Sequence, residues 1–212
     1  MRFSDVLLRL DPFPFDLPAP ADVLMPVRTD GRDLILPRTP PPDQPGRPAA
    51  VLVLLYPDDD GLTRVVLTER ASRDGHHSGE VSFPGGKAEP DDRDPAATAL
   101  REATEEIALD ADAAGVQVLG LLERFWIPVS DFQVTPVVAV AARRPRFSPS
   151  PAEVARIVEP PIARFLPDAQ IVIVERSIGE WPLRYGAYDT EGLSVWGATA
   201  RILSQLGRVL AA

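Results

Sequence analysis

Apolar residues follow two different periods along this chain, and these periods predict its secondary structure. Short runs rich in valine and leucine, at residues 49–56 ("AAVLVLLY") and 134–142 ("VTPVVAVAA"), are typical of β-strands. The turn sequence "PDDDG" follows the first run, and its Gly61 can adopt a positive φ, which predicts a β-hairpin. Residues 1–10 and 193–210 have the pattern of amphipathic helices.

The remaining patterns complete a single α/β domain. Further strands are predicted at residues 116–125, 170–175 and 182–189, and a short capped helix at 148–157 ("SPSPAEVARI"). Residues 11–48 are rich in proline and predict an irregular arm that packs on the surface, with a functional arm or a dimer element as the alternative. We therefore expect a mixed β-sheet sandwiched between α-helices at residues 48–212, and a helix with a proline-rich arm packed on it at residues 1–47.

One predicted helix has an unusual acidic face. It begins at Asp94 or Pro95, with Asp94 as N-cap, and its core reads "LREATEEIAL" at residues 100–109. At about 100° per residue, the three glutamates of this core share an arc of about 100°, and small apolar residues occupy the opposite face. The glutamates are Glu102, Glu105 and Glu106, and the apolar residues are Ala96, Leu100, Ala103 and Ile107.

The clustered carboxylates have two interpretations, a solvated helix face or a cation site. Just upstream, residues 82–87 ("SFPGGK") predict a tight glycine turn with exposed backbone carbonyls. Mg²⁺ prefers carboxylate and carbonyl oxygens together with water, and a cation would relieve the repulsion among the carboxylates. Arg101 is the only basic residue in the helix core and can pair with Glu105 four positions later. The pattern favours a site for a hard divalent cation.

Composition limits the partners of this site. The chain has 212 residues and a formal net charge of −9, which disfavours duplex nucleic acid and anionic membranes, so we expect a small-molecule substrate. Cysteine is absent, and two histidines, His76 and His77, are too few for a histidine-rich zinc site. No apolar run reaches the roughly 18 residues of a membrane span, and the N-terminus lacks the form of a signal peptide. We expect a cytoplasmic protein, and a homodimer stays open.

Residues 85–109, "GGKAEPDDRDPAATALREATEEIAL", resemble the Nudix box. The pattern of that box is G-x5-E-x7-R-E-U-x-E-E-x-G-U, in which U is an aliphatic residue. The helical half matches from Arg101 onward, except that Ala108 stands where glycine is usual. One extra residue precedes the helix, so the early glutamate is out of register, and Asp92 or Glu89 could replace it.

Residues 66–86, "VLTERASRDGHHSGEVSFPGG", resemble a second signature, L-L-T-x-R-[SA]-x3-R-x3-G-x3-F-P-G-G, of the coenzyme A diphosphatases. The chain departs from it at Val66 and at Gly75, where leucine and arginine are usual. With later segments, the resemblance covers residues 48–207. It implies a Nudix fold that uses Mg²⁺ or Mn²⁺ to hydrolyse a nucleoside diphosphate linked to another group. Coenzyme A or its thioesters would give 3′,5′-ADP and a 4′-phosphopantetheine product.

The resemblance also implies roles for individual residues. Glu102 and Glu106 are the primary metal ligands, and the carbonyl of Gly86 is a further ligand. Glu105 completes the metal shell or holds the attacking water. Arg101 orients a glutamate by charge-assisted hydrogen bonding, with a plain surface charge as its alternative. The predicted catalytic set is therefore Glu105, Arg101 and Glu102.

Basic and aromatic residues near these motifs are candidates for substrate binding. Arg70 is predicted to clamp a phosphate, because a guanidinium presents donors in a fork that matches phosphate oxygens. Lys87, beside the double glycine, is predicted to meet phosphate as well, and both residues have exposed surface charge as the alternative. His76 and His77 either contact substrate or are merely solvated. The candidates for stacking on adenine, each with a core position as its alternative, are Phe125, Trp126, Tyr185 and Trp196.

Two other functions fit the same motifs. One is a Nudix hydrolase of ADP-ribose or another nucleotide, and the other is a Nudix-fold module that senses a nucleotide without cleaving it. The chain retains Arg101 and all three glutamates. A sensor has no chemical need for that full set, so the sequence favours a hydrolase.

Overall fold

The computed structural model describes residues 1–14, 16–32, 40–41, 43, 45–71, 80–128 and 130–212. Four α-helices lie in these ranges: α1 (Phe3–Arg9), α2 (Pro95–Ile107), α3 (Ala111–Ala114) and α4 (Gly197–Ala211). Short 3₁₀-helices lie at Asp22–Leu24 and Ile162–Phe165. The strands are β1 (Val27–Arg28), β2 (Arg47–Pro57), β3 (Thr63–Val65), β4 (Leu67–Arg70), β5 (Val81–Ser82), β6 (Gly85–Lys87), β7 (Val116–Leu121), β8 (Phe125–Ile127), β9 (Phe132–Ala141), β10 (Val154–Val158), β11 (Val172–Ile178), β12 (Trp181–Thr190) and β13 (Leu193–Val195).

Strands β2 and β9 form the centre of a six-stranded mixed sheet. They run parallel, in a register that extends from Arg47 opposite Phe132 to Leu55 opposite Val140. Strands β3 and β6 pair antiparallel with β2, and β7 and β8 pair antiparallel with β9. Two smaller sheets, β10-β4-β5 and β1-β12-β11 with β13 on β12, flank it. The predicted mixed sheet is confirmed, and so is the β2–β3 hairpin, whose Gly61 has φ +73°.

Helices cover both faces of the central sheet. Alternate residues of β2 point to opposite faces. On one face Leu52 and Leu54 pack with Ala99, Ala103 and other small residues of α2. On the other face, Val53 and Leu55 join a cluster that includes residues of α1 and α4: Val6, Leu203, Leu206 and Leu210. The predicted sandwich is therefore confirmed, and the valine–leucine run of β2 is continuous because both of its faces are buried.

Helix α2 begins at the predicted N-cap. The Asp94 carboxylate accepts a hydrogen bond from the backbone N–H of Ala97 at 2.8 Å, and Pro95 takes the first helical position. The predicted apolar face is also present, because Ala103 and Ile107 are fully buried. The acidic face differs from the prediction at one position: Glu106 is only 8% exposed, whereas Glu105 is exposed.

The C-cap residue of α2 is Ala108, in the left-handed conformation with φ +54° and ψ +38°. This conformation crowds a Cβ atom and costs an L-residue roughly 1 kcal/mol, which glycine avoids. We therefore expect Ala108→Gly to stabilise the protein by about 0.5–1 kcal/mol, measured by chemical denaturation. Ala97→Gly, inside the same helix, is the matched control and should destabilise by a similar amount. Destabilisation by Ala108→Gly would contradict the left-handed cap.

The prediction of a helix at residues 148–157 is wrong. The segment forms a turn and then β10, which pairs with β4 and places Ile157 opposite Thr68. The backbone N–H groups of Ser148 and Ser150 donate to the carbonyls of Ile107 and Glu106, at 3.0 and 2.8 Å. These tertiary hydrogen bonds satisfy two backbone carbonyls at the end of α2 and keep residues 148–150 from forming a helix of their own.

The C-terminal helix begins later than its pattern predicts. Residues Leu193–Val195 form β13, which pairs with β12 and places Val195 opposite Tyr188. Gly197 has φ +62°, so the chain turns there and α4 follows. In the sequence, the apolar residues of β13 and of α4 form one continuous run. The pairing of β13 with β12 shows that the run contains a strand followed by a helix.

The N-terminal residues contribute to the main core. Val6 and Leu24 are fully buried in the same cluster as Val53, and β1 pairs with β12. The predicted division of the chain between residues 47 and 48 stays a prediction. In the described ranges, no helix has the length and apolar character needed to cross a membrane.

Candidate active site

The double glycine of β6 lies directly beneath helix α2. A Cβ atom on Gly86 would lie 2.6 Å from the carboxyl carbon and both carboxyl oxygens of Glu102. A Cβ atom on Gly85 would lie 2.3 Å from the carbonyl oxygen of Ala50 on β2. Real Cβ atoms do not approach this closely, so Gly85, which faces the backbone of β2, requires glycine, whereas a side chain at Gly86 would displace the Glu102 carboxylate. The prediction of a tight turn at the double glycine is wrong, because both residues lie in β6 and pair with β2, and this pairing brings their backbone against the acidic helix.

Arg101 organises the carboxylates on this side of α2. Its Nη1 donates to Glu105 at 3.0 Å, which is the predicted pair four residues apart. Its Nη2 donates to Glu102 at 3.1 Å and to the backbone carbonyl of Lys87 at 2.9 Å. The guanidinium thus joins β6 to α2 and holds two of the three glutamates.

Asp92 is the strongest partner of Arg101. Its two carboxylate oxygens accept from Nε at 3.2 Å and from Nη2 at 3.1 Å, and one also accepts from the N–H of Glu89 at 2.9 Å. The hydrogen bond from Arg101 is the main reason that the pKa of Asp92 falls to about 2. Of the two acidic residues that could replace the early glutamate of the Nudix box, Asp92 is the one that contacts the box arginine.

We expect Asp92→Asn to lower kcat about 10-fold to 100-fold, because a neutral amide orients Arg101, and through it Glu102, less firmly. KM should change little, because Asp92 has no predicted contact with substrate. Steady-state kinetics, with circular dichroism to verify folding, would measure both effects. Asp91→Asn, at the exposed neighbour, is the matched control. Wild-type kcat in Asp92→Asn would exclude a positioning role.

Glu106 is a buried carboxylate at the centre of the site. Its Oε2 accepts a hydrogen bond from the N–H of Gly85 at 3.1 Å. Burial, more than any other cause, raises the pKa of Glu106 to about 7, and the charges of Glu102 and Glu153 raise it further. The Gly85 hydrogen bond and the charge of Arg70 act in the opposite direction. Burial also raises the pKa of Glu102, although Arg101 opposes that shift.

Glu153 is a site residue that sequence reasoning missed. It is exposed at the turn before β10, and its charge acts on both Glu102 and Glu106. The hydrogen bonds that tie residues 148–150 to the end of α2 bring this turn to the site, and the Glu153 carbonyl accepts from the N–H of Ala71 at 2.9 Å. The only signal in the sequence was that Glu153 directly precedes a segment rich in β-branched residues. The wrong helix prediction at residues 148–157 obscured this signal.

Arg70 and Lys87 lie at the edge of the site with exposed side chains. Arg70 ends β4 opposite Val154, and its charge reaches Glu106. Lys87 ends β6, where its carbonyl binds Arg101. The register of β6 places Gly86 opposite Ala50. Phosphate binding by Arg70 and Lys87, and metal binding by the Gly86 carbonyl, stay predictions.

The other candidates have different outcomes. His76 and His77 lie outside the described residues, as does Gly75, where the coenzyme A signature has arginine. Trp126 donates its indole N–H to Asp131 at 3.0 Å, and Phe125 packs against the core, so both have structural roles. Tyr185 and Trp196 instead stack on each other at a ring-centroid distance of 4.8 Å.

The donor set of this site suits a hard divalent cation. Glu102 and Glu106 are carboxylates whose pKa values burial raises, and Glu153 adds a third negative charge. A cation would offset this desolvation and repulsion. Within the described ranges, no three acidic or histidine side chains are close enough together to hold a metal ion as they stand. Arg101 forms salt bridges with Glu102 and Glu105 instead.

Fold and site together define a class of protein. It is an α/β domain in which an acidic helix lies on a double-glycine strand and an arginine orients the acidic residues. The NUDIX domain family matches residues 46–161, which is more than half of the chain. The chain belongs to the Nudix family, as its sequence motifs predict.

Three relatives illustrate this membership. Nudix hydrolase 15, mitochondrial, from Arabidopsis thaliana is 42% identical over 167 residues, covering 76% of this chain and 58% of that protein. Nudix hydrolase 22, chloroplastic, from the same plant is 43% identical over 169 residues, covering 76% and 55%. This chain thus spans less than two thirds of the length of the plant relatives. Uncharacterized Nudix hydrolase NudL from Pectobacterium atrosepticum is 39% identical over 168 residues, covering 76% and 81%.

Proposed function

We propose that this chain is a metal-dependent diphosphatase that hydrolyses coenzyme A or its thioesters to 3′,5′-ADP and 4′-phosphopantetheine products. The observation that carries the proposal is the position of Glu106, a buried carboxylate between Gly85, Glu102 and Glu153. A buried group in this acidic surrounding is best stabilised by a divalent cation. A cation held beside exposed arginine and lysine side chains is the arrangement that diphosphate hydrolysis requires.

The residues of the site have distinct tasks in this reaction. Glu102 and Glu106, with the Gly86 carbonyl, would hold Mg²⁺ or Mn²⁺, which when bound neutralises negative charge on the phosphates. Glu105 is exposed beside them, and Arg101 Nη1 donates to its Oε2 at 3.0 Å, which orients the carboxylate to hold the attacking water. Water adds to one phosphorus, the bridging P–O bond breaks, and a carboxylate takes the proton of the water. Arg70 and Lys87 bind the phosphate oxygens.

The choice of coenzyme A rests on the sequence signature at residues 66–86. In the described part of that signature, Arg70 ends β4 and the "FPGG" segment, residues 83–86, leads into β6 beneath Glu102. Coenzyme A carries a 3′-phosphate in addition to its diphosphate. In a chain with a net charge of −9, an exposed arginine such as Arg70 is suited to offset that charge locally.

The experiment is a chromatographic screen of coenzyme A, ADP-ribose, NADH and dinucleoside polyphosphates with Mg²⁺ or Mn²⁺. We expect the highest kcat/KM with coenzyme A and no turnover with EDTA. A higher kcat/KM for ADP-ribose would replace the substrate but keep the hydrolase. Failure to cleave any of these compounds would overturn the hydrolase and favour a nucleotide sensor.

A second comparison tests recognition of the 3′-phosphate. We expect 3′-dephospho-coenzyme A to have a clearly higher KM than coenzyme A, and Arg70→Ala to remove much of that difference. Arg93→Ala is the control, because the Arg93 side chain is 86% exposed and forms a salt bridge with Asp94 at the start of α2. Equal kcat/KM for the two compounds would show that the 3′-phosphate is not recognised.

A further inference from the structure

Three planar side chains are in mutual contact at the β11–β12 sheet, and only the two aromatic rings are stacked on each other. The rings of Tyr185 and Trp196 lie 4.8 Å apart between centroids, with an interplanar angle of 27°. The guanidinium carbon of Arg176 lies 4.8 Å from the centroid of Trp196 and 5.8 Å from that of Tyr185. Such distances correspond to cation–π contact with both rings. We call these three residues the Arg176 stack.

Strand geometry brings the Arg176 stack together. Arg176 on β11 pairs with Leu183 on β12, so its side chain shares a face with Tyr185, two residues beyond Leu183. Trp196 follows β13, whose pairing with β12 brings it over the same face. The three residues are separated along the chain: β11 and β12 contribute one member each, and the third directly follows β13.

The exposed member of the Arg176 stack is the guanidinium of Arg176. Tyr185 is buried at 2% exposure, Trp196 is partly buried and Arg176 is exposed. Among the described residues, no acidic side chain forms an ion pair with Arg176. The adjacent carboxylate, Glu175, points to the other face and pairs with Arg184 at 3.6 Å. The two rings therefore hold a flat cation whose side chain is exposed to solvent.

The Arg176 stack lies on the side of the molecule that carries Arg70. Tyr185 is close enough to Glu80 for the charge of Glu80 to raise its pKa, although burial is the main cause of that shift. The Glu80 carbonyl in turn accepts from the N–H of Arg70 at 3.0 Å. The charge of Arg70 acts on Glu106. Strand β13, which Trp196 follows, also contacts β5, which Glu80 precedes, so the Arg176 stack and Arg70 lie near the same strand.

We propose that the Arg176 stack binds the nucleobase of the substrate and that the base packs flat on the exposed Arg176 guanidinium. Guanidinium planes and aromatic rings are the surfaces on which unstacked bases pack in proteins, because every base has a flat π-face. Trp196 and Tyr185 fix the guanidinium in advance, so little side-chain freedom is lost on binding. That the nucleotide is a substrate rests on the proposed function. Binding of the base requires only a purine nucleotide, whichever group occupies the far end of the diphosphate.

Binding of AMP, measured by calorimetry without metal, tests the Arg176 stack independently of turnover. We expect Arg176→Ala to weaken AMP binding about 10-fold, within the range measured for stacking on a base. Ribose 5-phosphate, which lacks the base, should bind the wild type and Arg176→Ala equally. Arg184→Ala, on the opposite face of the same sheet, is the matched control and should bind AMP as the wild type does.

Arg176→Lys separates stacking from charge. Lysine keeps the positive charge but lacks the planar group, so we expect it to bind AMP as weakly as Arg176→Ala does. Full rescue by lysine, unchanged binding in Arg176→Ala, or failure of the wild type to bind AMP would each overturn the proposal. If the wild type binds AMP but cleaves no nucleotide, and Arg176→Ala loses AMP binding, the role of the Arg176 stack is upheld and only the proposed hydrolase is rejected.

Discussion

Glu102→Gln and Glu106→Gln should each lower kcat by about 100-fold or more at saturating Mg²⁺. Each substitution removes one negative charge from the predicted cation site, and that charge is needed most when the transferring phosphate develops charge in the transition state. Losses of this size correspond to about 2.7 kcal/mol of transition-state stabilisation. Steady-state kinetics with the preferred substrate of the screen would measure them.

The fold should survive Glu106→Gln even though Glu106 is buried. The amide oxygen of glutamine can still accept the hydrogen bond that the Gly85 N–H donates to Glu106 Oε2 at 3.1 Å. The uncharged side chain also avoids the cost of burying a carboxylate beside Glu102 and Glu153. The metal-free variant should therefore be at least as stable as the wild type above neutral pH.

The raised pKa of Glu106 predicts how the stability of the metal-free protein depends on pH. The pKa of Glu106 is raised from 4.5 to about 7 by folding, so the folded protein holds this proton more tightly than the unfolded chain does. The contribution of Glu106 to metal-free stability is therefore most favourable below pH 4.5 and declines as the pH rises to about 7. Glu106→Gln should lack this decline.

Glu159→Gln is a control for the carboxylate substitutions. Glu159 accepts a hydrogen bond from the Tyr56 hydroxyl at 2.6 Å, in a polar contact that has no predicted part in the site. Its substitution should leave kcat unchanged. Near-wild-type turnover in both Glu102→Gln and Glu106→Gln would show that the acidic face of α2 is not the metal site.

Ala103→Trp should destabilise the protein by about 1–3 kcal/mol through overpacking. Ala103 is fully buried where α2 lies on β2, in a cluster of small residues that includes Ala50, Ala99 and Ala139. An indole in this space would push the helix away from the sheet, and with it Glu102 and Glu106. Thermal unfolding should therefore shift to lower temperature, and kcat should fall as the site is displaced.

Ala113→Trp on α3 is the matched control for overpacking, because Ala113 is exposed. Its melting temperature should remain close to that of the wild type. An unchanged melting temperature in Ala103→Trp would mean that α2 does not present this face to the sheet.

The sequence by itself determined the features that depend on neighbours along the chain. The N-cap at Asp94, the turn at Gly61 and the pairing of Arg101 with Glu105 all follow from residue type and short spacing. The same is true of the Nudix motif, whose residues lie on one strand, one loop and one helix. Local backbone geometry is enough to predict these relations, because they require no long-range contact.

Only the tertiary structure decided which of the charged groups are buried and which act on one another. Glu106 is buried where its carboxylate accepts from the Gly85 N–H. Glu153 acts on it because the hydrogen bonds from Ser148 and Ser150 bring the turn before β10 to the end of α2. The Arg176 stack likewise requires pairing among three strands. Desolvation and charge coupling depend on distance through space, and a periodic pattern contains no information about distances between segments remote in sequence.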